Sequence, residues 1–240
     1  MTLIEHLAEL RNRLFICIIA VAVCGTVVFF LFPEVLDFLS QPYRDITAGK
    51  EPCPADGCSL IATDPLAPFM VRIKVAVYGG MALALPIIMW QIWRFVVPAL
   101  HSREKKYAIP FILSAVVLFV LGAVFAWYTV EKALQFLLYG SVGGEIQPAV
   151  TADKYLTLVT LMILAFGVSF EFPLLLIFLL LAGVLDTRTL RQYRRWAVVG
   201  ITSFAAIITP SADPISLLFL AIPLYIFYEL VIVIGRVMKK

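Results

Sequence analysis

The sequence predicts an all-α membrane protein with six transmembrane helices and both termini in the cytoplasm. Hydrophobic residues make up 62% of the chain, and the mean hydropathy is +0.98. A helix needs about 20 mostly apolar residues to cross the hydrocarbon core. Backbone groups must pair internally in lipid, and uninterrupted apolar runs favour helices over the alternating strands of a barrel. Spans are expected near residues 14–32, 70–95, 107–129, 154–185, 196–210 and 214–235.

Charged residues flank the apolar stretches unevenly, and this asymmetry predicts the orientation. With the termini and the second and fourth connections on one side, that side carries 13 of the 19 Lys and Arg residues and four of the 16 acidic residues. Lys and Arg accumulate on the cytoplasmic side of membrane proteins. Both termini are therefore expected in the cytoplasm. The net charge of +3 hides this asymmetry and does not indicate a nucleic-acid partner.

The segment before the first span has the spacing of an amphipathic helix. Leu3, Leu7 and Leu10 recur at helical intervals. They predict a cytoplasmic helix over residues 2–12 that runs into the first span. Because the connections are short, residues 1–240 are expected to form a single integral membrane domain.

Prolines are expected to bend the bundle and to shape its outer connections. Pro86 and Pro173 lie inside the second and fourth spans and should kink them, because proline removes a helical hydrogen bond. A curved bundle follows. In the first outer connection, a short interfacial helix is expected over residues 34–40, with an irregular segment from Pro42 onward. A second outer helix is expected over residues 131–139.

The first outer connection also carries two of the four cysteines. Cys53 and Cys58 lie five residues apart on the side predicted to be oxidising, so a disulfide between them is one interpretation. Two free thiols are the other. A structural metal would need more ligands than this connection offers.

The fifth span is short. Between Trp196 and Pro210 there is room for about 14 helical residues, or about 21 Å, whereas the hydrocarbon core is about 30 Å thick. Thinning of the bilayer or association with another helix can meet such a shortfall. The alternative is that the helix extends into residues 193–195, whose basic side chains reach the interface.

Glu171 lies midway along the fourth span, where an ionisable group costs at least a few kcal/mol. It is expected to be protonated or to face a polar cavity. The functional interpretation is a polar site for a substrate, a proton or a partner. The structural alternative is a neutral side chain that bonds a carbonyl freed by Pro173. Glu229 in the last span is nearer the cytoplasmic end, where solvent or Arg236 can reach it. For this residue the structural interpretation is as good as the functional one.

Glu9 and Glu104 are carboxylates within otherwise basic cytoplasmic segments. Taken alone, each is expected to be a local salt-bridge partner on a solvated face. Taken together, they could form a clamp for a cationic peptide, because guanidinium groups bind carboxylates bidentately.

Enzymatic chemistry finds little support in the sequence. His6 and His101 are the only histidines, and the chain has no zinc-protease, P-loop or Gly-x-Ser-x-Gly motif. We therefore expect no catalytic residue, no metal site and no cofactor. Any transport must draw on an ion gradient or on partner proteins.

Six ordered segments of the chain resemble the TatC family, the C subunit of the twin-arginine protein translocase. They include His6-Leu-Ala-Glu9-Leu-Arg11 and Phe166-Gly-Val-Ser-Phe-Glu171-Phe-Pro173. The others lie within residues 61–69, 93–106, 209–213 and 220–225.

The resemblance implies a glove-shaped receptor for folded cargo whose signal peptides carry paired arginines. Glu9 and Glu104 would pair with those arginines. Phe95, Arg11 and Arg103 would shape the same signal-peptide-binding surface. Transport would draw on the proton motive force across the bacterial plasma membrane, by a receptor complex that contains several copies of the chain.

The resemblance also implies roles inside and outside the membrane. Glu171 would meet the inserted signal hairpin, and Pro42 and Asp64 would be functional in the outer loop. Single-span partners of the A/B type (TatA and TatB) would dock on the last two spans, where the candidate residues are Phe204, Thr209, Asp213 and Ser216. Relatives often have glutamine where this chain has Leu217, and the segment with Cys53 and Cys58 is not general in the family.

A proton-coupled transporter of small molecules is the rival interpretation. In it, Glu171 would relay protons. The absence of a convincing inverted repeat in the sequence counts against it.

Overall fold

The computed structural model describes residues 3–49, 59–96, 108–140, 150–211 and 213–237. These residues form nine α-helices, and their only extended pairing is an isolated bridge between Ile61 and Thr151. The helices are α1 (Leu3–Phe30), α2 (Phe32–Thr47), α3 (Ala67–Val96), α4 (Ala108–Gln135), α5 (Ala152–Ser169), α6 (Phe172–Leu181), α7 (Thr187–Gln192), α8 (Arg194–Ile208) and α9 (Pro214–Val237). The all-α prediction is confirmed.

Five helical segments in the described part of the chain are long and apolar enough to cross a membrane. They are His6–Phe30, Ala67–Phe95, Ile109–Leu138, Ala152–Leu181 and Pro214–Val237. The helix α8 has 15 residues and is too short to meet that measure. The chain is thus a multi-pass membrane protein, and α8 has the shortness that the sequence predicts.

Side-chain contacts show that the helices alternate in direction. At one end of the bundle the start of α1 meets the end of α3, and the rings of Trp93 on α3 and Phe111 on α4 have centroids 4.7 Å apart. Arg194 at the start of α8 pairs with Glu229 near the end of α9, with 2.6 Å between Nη2 and Oε2. We call this the basic end, because it carries Arg11, Arg13, Arg94, Arg188, Arg191, Arg194, Arg195 and Arg236.

The opposite end of the bundle is joined by polar contacts between different helices. Lys74 Nζ on α3 lies 2.6 Å from Asp153 Oδ1 on α5. The buried Tyr155 hydroxyl donates to the Leu39 carbonyl on α2 at 2.8 Å. The first contact joins α3 to α5, and the second holds α2 against α5.

Glycines allow two pairs of helices to approach closely. A Cβ added at Gly80 on α3 would lie 2.7 Å from the Cα of Gly25 on α1, nearer than real Cβ contacts. A Cβ added at Gly122 on α4 would lie 2.7 Å from the Phe166 carbonyl oxygen on α5. Helices in membranes associate largely through such close packing of small residues.

The two prolines inside the spans have different consequences. Pro86 lies within the continuous helix α3. Pro173 follows a break in the fourth span, where α5 ends at Ser169 and α6 begins at Phe172. Proline fits the first turn of a helix, because the N–H that it lacks has no partner there. The break places Glu171 in the turn between the two helices.

Two predictions for the outer connections are wrong. The outer helix α2 covers Phe32–Thr47 instead of residues 34–40, and Pro42 lies inside it instead of beginning an irregular segment. Burial of Leu39, Tyr43 and Ile46 against the core stabilises the longer helix and offsets the hydrogen bond that proline removes.

The predicted separate helix over residues 131–139 is also not formed. The helix α4 continues without a break to Gln135 and ends in a π-helical turn, Phe136–Gly140. The buried side chains of Val130, Ala133 and Leu134 extend the apolar face of the span and favour its continuation. Cys53, Cys58, His101, Arg103 and Glu104 lie outside the described residues.

Candidate functional site

The basic end holds a half-buried carboxylate where α1 crosses α3. Glu9 accepts hydrogen bonds on Oε1 from Nε (3.0 Å) and Nη2 of Arg13, one helical turn further on. Arg13 Nη1 in turn donates to Gln91 Oε1 on α3 at 3.3 Å. The side chains of Glu9 and Arg13 are 22% and 15% exposed. The prediction that Glu9 forms a local salt bridge is confirmed.

An aromatic pair lies beside this carboxylate. His6 on α1 stacks on Phe95 at the end of α3, with ring centroids 4.4 Å apart and planes 18° from parallel. Arg11, on the same helix as Glu9, is exposed to solvent. The structure therefore brings Glu9 and Phe95 to one surface, whereas Arg11, two residues from Glu9, lies on a different face of α1. We call the surface of His6, Glu9, Arg13, Gln91 and Phe95 the α1–α3 surface.

Glu104 and Arg103 belong to the connection between α3 and α4, outside the described residues. Their side-chain geometry is therefore not part of the described site. Both helix ends that flank this connection lie at the basic end, as the contact between Trp93 and Phe111 shows.

A cavity of about 400 Å³ opens beside Glu171. Its walls are almost entirely apolar and come from α3, α4, α5, α6 and α8. They include Trp93, Phe111, Leu175, Phe178 and Phe204. Both carboxyl oxygens of Glu171 are buried and have no hydrogen-bond partner among the described residues. The structure thus shows no hydrogen bond from Glu171 to a carbonyl freed by Pro173, and Glu171 is the one acidic side chain among the described residues that line this cavity.

The residues predicted to bind partners divide into one exposed and three buried side chains. Phe204 on α8 is 40% exposed and also lines the cavity beside Glu171. Thr209 and Asp213 are buried in the turn between α8 and α9, and Ser216 is buried in the first turn of α9. Asp213 Oδ1 accepts the Ser216 backbone N–H at 2.7 Å, which caps the start of α9. Asp213 Oδ2 and Ser216 Oγ are buried without a hydrogen-bond partner in the described part of the chain.

Glu229 forms an ion pair, but not with the residue considered from the sequence. Its partner is Arg194 on α8, with 2.6 Å between Nη2 and Oε2, instead of Arg236 on its own helix. Tyr225 also donates to Glu229 Oε1 at 3.3 Å. Glu229 thus links α8 to α9 at the basic end.

The two predicted outer-loop residues are in different surroundings. Asp64 is exposed, and its Oδ1 accepts the Leu66 backbone N–H at 2.8 Å just before α3 begins. It lines an open cavity of about 550 Å³ together with Lys74 and Asp153. Pro42 is buried inside α2.

Sequence reasoning missed three features of the α1–α3 surface. Arg13 as the partner of Glu9 could have been found from the spacing of four residues, at which opposite charges meet on a helix. Gln91 is 8% exposed in an otherwise apolar stretch, and that polar exception was its only signal in the sequence. The stacking of His6 on Phe95 joins positions far apart in the chain and had no local signal.

Comparisons with known proteins identify the family. The sequence profile described as "Sec-independent protein translocase protein (TatC)" matches residues 5–223. A protein of that name from Frankia casuarinae is 38% identical over 98% of this chain, which spans 65% of that relative's length. A relative of the same name from Aquifex aeolicus is 36% identical, over the whole of this chain and 97% of its own length.

Solved structures agree with the sequence comparison. A crystal structure of the twin-arginine translocase receptor TatC superimposes with a TM-score of 0.81 and 35% identity, covering 98% of this chain and all of that one. A second structure of that receptor, in DDM, gives the same TM-score at 36% identity. The match extends over nearly the whole chain in sequence and in fold. This chain belongs to the TatC family of Sec-independent protein translocase proteins.

Proposed function

We propose that this chain is the core receptor subunit of a twin-arginine translocase and acts as a receptor instead of an enzyme. It binds the twin-arginine signal peptides of folded proteins at its cytoplasmic face. The observation that carries the proposal is the half-buried Glu9 carboxylate on the α1–α3 surface. A guanidinium group suits such a carboxylate, because its planar donors bind oxygen in a fixed geometry and it is more weakly hydrated than an ammonium.

The second carboxylate of the proposed site is Glu104. The connection that carries it leaves α3 and enters α4 at the basic end, where Glu9 also lies. Two acidic positions on an otherwise basic surface favour a peptide with two neighbouring cations. Arg11 and Arg103, in the same two basic segments as Glu9 and Glu104, are proposed to contribute to recognition of the signal peptide.

The proposed orientation follows from the two ends of the bundle. The excess of arginine marks the basic end as cytoplasmic. The chain begins there, and α9 ends there, so both termini lie in the cytoplasm. This topology requires six spans, so α8 must serve as the fifth of them in chain order, although its 15 residues extend only about 22 Å. The membrane is proposed to be the bacterial plasma membrane.

Inside the membrane, Glu171 is proposed to meet the inserted signal hairpin. The cavity beside it is lined by apolar side chains, as a hydrophobic signal segment requires. Its unpartnered carboxyl group is expected to find a hydrogen bond from the incoming segment, because such a group is costly in hydrocarbon when it is unpaired.

The helices α8 and α9 are proposed to bind the TatA/TatB-type single-span partners. Their association covers the short helix α8 and reduces its mismatch with the bilayer. The proposed working form is a complex of several copies that draws on the proton motive force. Pro42 and Asp64 are proposed to support function on the outer side, and Cys53 and Cys58 to form a disulfide there.

A single cysteine at Phe204 should cross-link to a cysteine in the partner helix, because this side chain is 40% exposed. Cysteines at Ile201 and Ala205, which are 6% and 0% exposed on the same helix, are the matched controls and should give little product. Disulfide formation in native membranes measures both. Thr209 is buried, so a cysteine there should cross-link only where the partner opens the turn between α8 and α9. Failure at every position from 201 to 216 would show that lipid alone accommodates α8.

Vesicles that contain only this chain distinguish a receptor from a transporter. The receptor should bind a labelled twin-arginine signal peptide at the basic end and should take up no small solute under a proton gradient. Gradient-driven uptake that is lost on Glu171→Gln, without peptide binding, would instead support the proton-coupled transporter.

A further inference from the structure

The Glu9 carboxylate is already paired with an arginine of the same chain, Arg13. Oε1 receives two N–H groups of Arg13, and Oε2 is buried with no hydrogen-bond partner among the described residues. Neither oxygen is both exposed and unpaired. A guanidinium group of an incoming peptide therefore cannot pair with Glu9 until Arg13 has moved.

Two features favour Arg13 as an exchangeable partner rather than a fixed one. Apart from Glu9, its only hydrogen-bond partner among the described residues is Gln91, at a long distance of 3.3 Å from Nη1 to Oε1. A pair four residues apart on a helix is also weak when it is partly solvated. At the same time, an empty site with no cation would leave a half-buried carboxylate unpaired, and such a group is destabilising.

We propose that Arg13 is an internal competitor for the twin-arginine signal at Glu9. The inference rests on the proposed function. Binding exchanges one guanidinium for another, so Glu9 stays neutralised in both the empty and the occupied receptor. Arg13 then keeps its contact with Gln91 or turns to solvent. Because only the receptor with a vacated Glu9 binds, the measured Kd is raised by the rarity of that form.

The substitution Arg13→Gln removes the competitor and should lower the Kd of a twin-arginine signal peptide by about two- to fivefold, the factor that a partly exposed pair contributes. The Kd of a twin-lysine peptide should fall by the same factor, because the work of vacating Glu9 does not depend on the ligand that enters. Fluorescence anisotropy on the full chain in nanodiscs, without partner proteins, measures both constants.

Two further variants separate the competing explanations. Arg188→Gln removes the same charge from an exposed arginine of α7 that forms no salt bridge with another described residue, and it should leave both Kd values unchanged. Arg13→Lys keeps the charge but loses the fork of donors to Oε1, so its Kd should lie between those of the wild type and Arg13→Gln. It also serves as the second variant where Arg13→Gln reduces the folded fraction.

Different outcomes test the competitor role of Arg13 and the binding site at Glu9. An unchanged or raised Kd in Arg13→Gln would overturn the competitor role, and so would an effect confined to the twin-arginine peptide, which would indicate direct contact. An unchanged Kd in Glu9→Gln would instead overturn the binding site itself. A raised Kd in Glu9→Gln with a lowered Kd in Arg13→Gln is the result that the exchange requires.

Discussion

The double substitution Glu9→Gln with Glu104→Gln should abolish export of a folded reporter that carries a twin-arginine signal, while the protein remains in the membrane. Each substitution keeps the size of the side chain and removes the charge that pairs with a guanidinium. Loss of one partner of a buried ionic contact costs about 2–5 kcal/mol, much of it because the other charge is left unpaired. That corresponds to about 30-fold to a few thousand-fold in affinity at each site.

The measurement is the fraction of reporter that reaches the outer compartment, with the amount of receptor in the membrane determined in parallel. Each single variant should retain some export, because one carboxylate remains. Asp186→Asn is the matched control, since it removes an exposed acidic charge from the same end of the bundle. It should export as the wild type does. Normal export by the double variant would show that the paired arginines bind elsewhere.

The substitution Gly80→Leu should separate α1 from α3 and destabilise the protein more than any surface substitution. A Cβ at this position would lie 2.7 Å from both the Cα and the N of Gly25 and 2.9 Å from the Val21 carbonyl oxygen. The atoms in the way belong to the backbone and cannot turn aside. Overpacking of a buried contact costs about 1–3 kcal/mol, and a clash with backbone is at the upper end or beyond it.

Thermal unfolding in detergent and the level of folded protein in the membrane measure this effect. Gly200→Leu on α8 is the control, because a Cβ there meets nothing within 4 Å. Leucine has a higher helix propensity than glycine, so the substitution favours the helical state in both variants. Only the clash distinguishes them. Signal-peptide binding should fall in Gly80→Leu as well, since α1 carries Glu9 and α3 carries Gln91. Equal melting temperatures for the two variants would show that α1 and α3 are not in close contact.

Hydropathy predicted five long apolar helices, because burial in lipid imposes a single requirement on a long stretch of residues. Two further elements follow from local features. The basic residues before α8 and Pro210 after it limit its length, and the N–H that Pro173 lacks favours the break in the fourth span. The prediction for Pro42 was wrong because packing between distant parts of the chain, and not a local feature, decides the structure there. Tertiary burial of Leu39 and Tyr43 overrides the local preference for an irregular segment, and no local pattern reports that burial.

The candidate site was predictable in its residue types but not in its pairing. Two acidic positions in basic segments, at Glu9 and Glu104, indicated recognition of a cation. The anchoring of Arg13 by Gln91 depends on the packing of α1 on α3 across 78 positions of sequence. That packing is set by Gly25 and Gly80, whose role becomes visible only when the two helices are placed together.

The most direct test of the account asks whether positions 9 and 104 face the same compartment and the same ligand. Single cysteines at these positions, in a chain without its four native cysteines, are treated with a membrane-impermeant maleimide. We expect both to react only from the cytoplasmic side, in inside-out vesicles. A twin-arginine peptide should protect each of them more than a twin-lysine peptide does, at the higher concentration that the loss of one carboxylate requires. Reaction of either cysteine from the outside of intact cells would contradict the account.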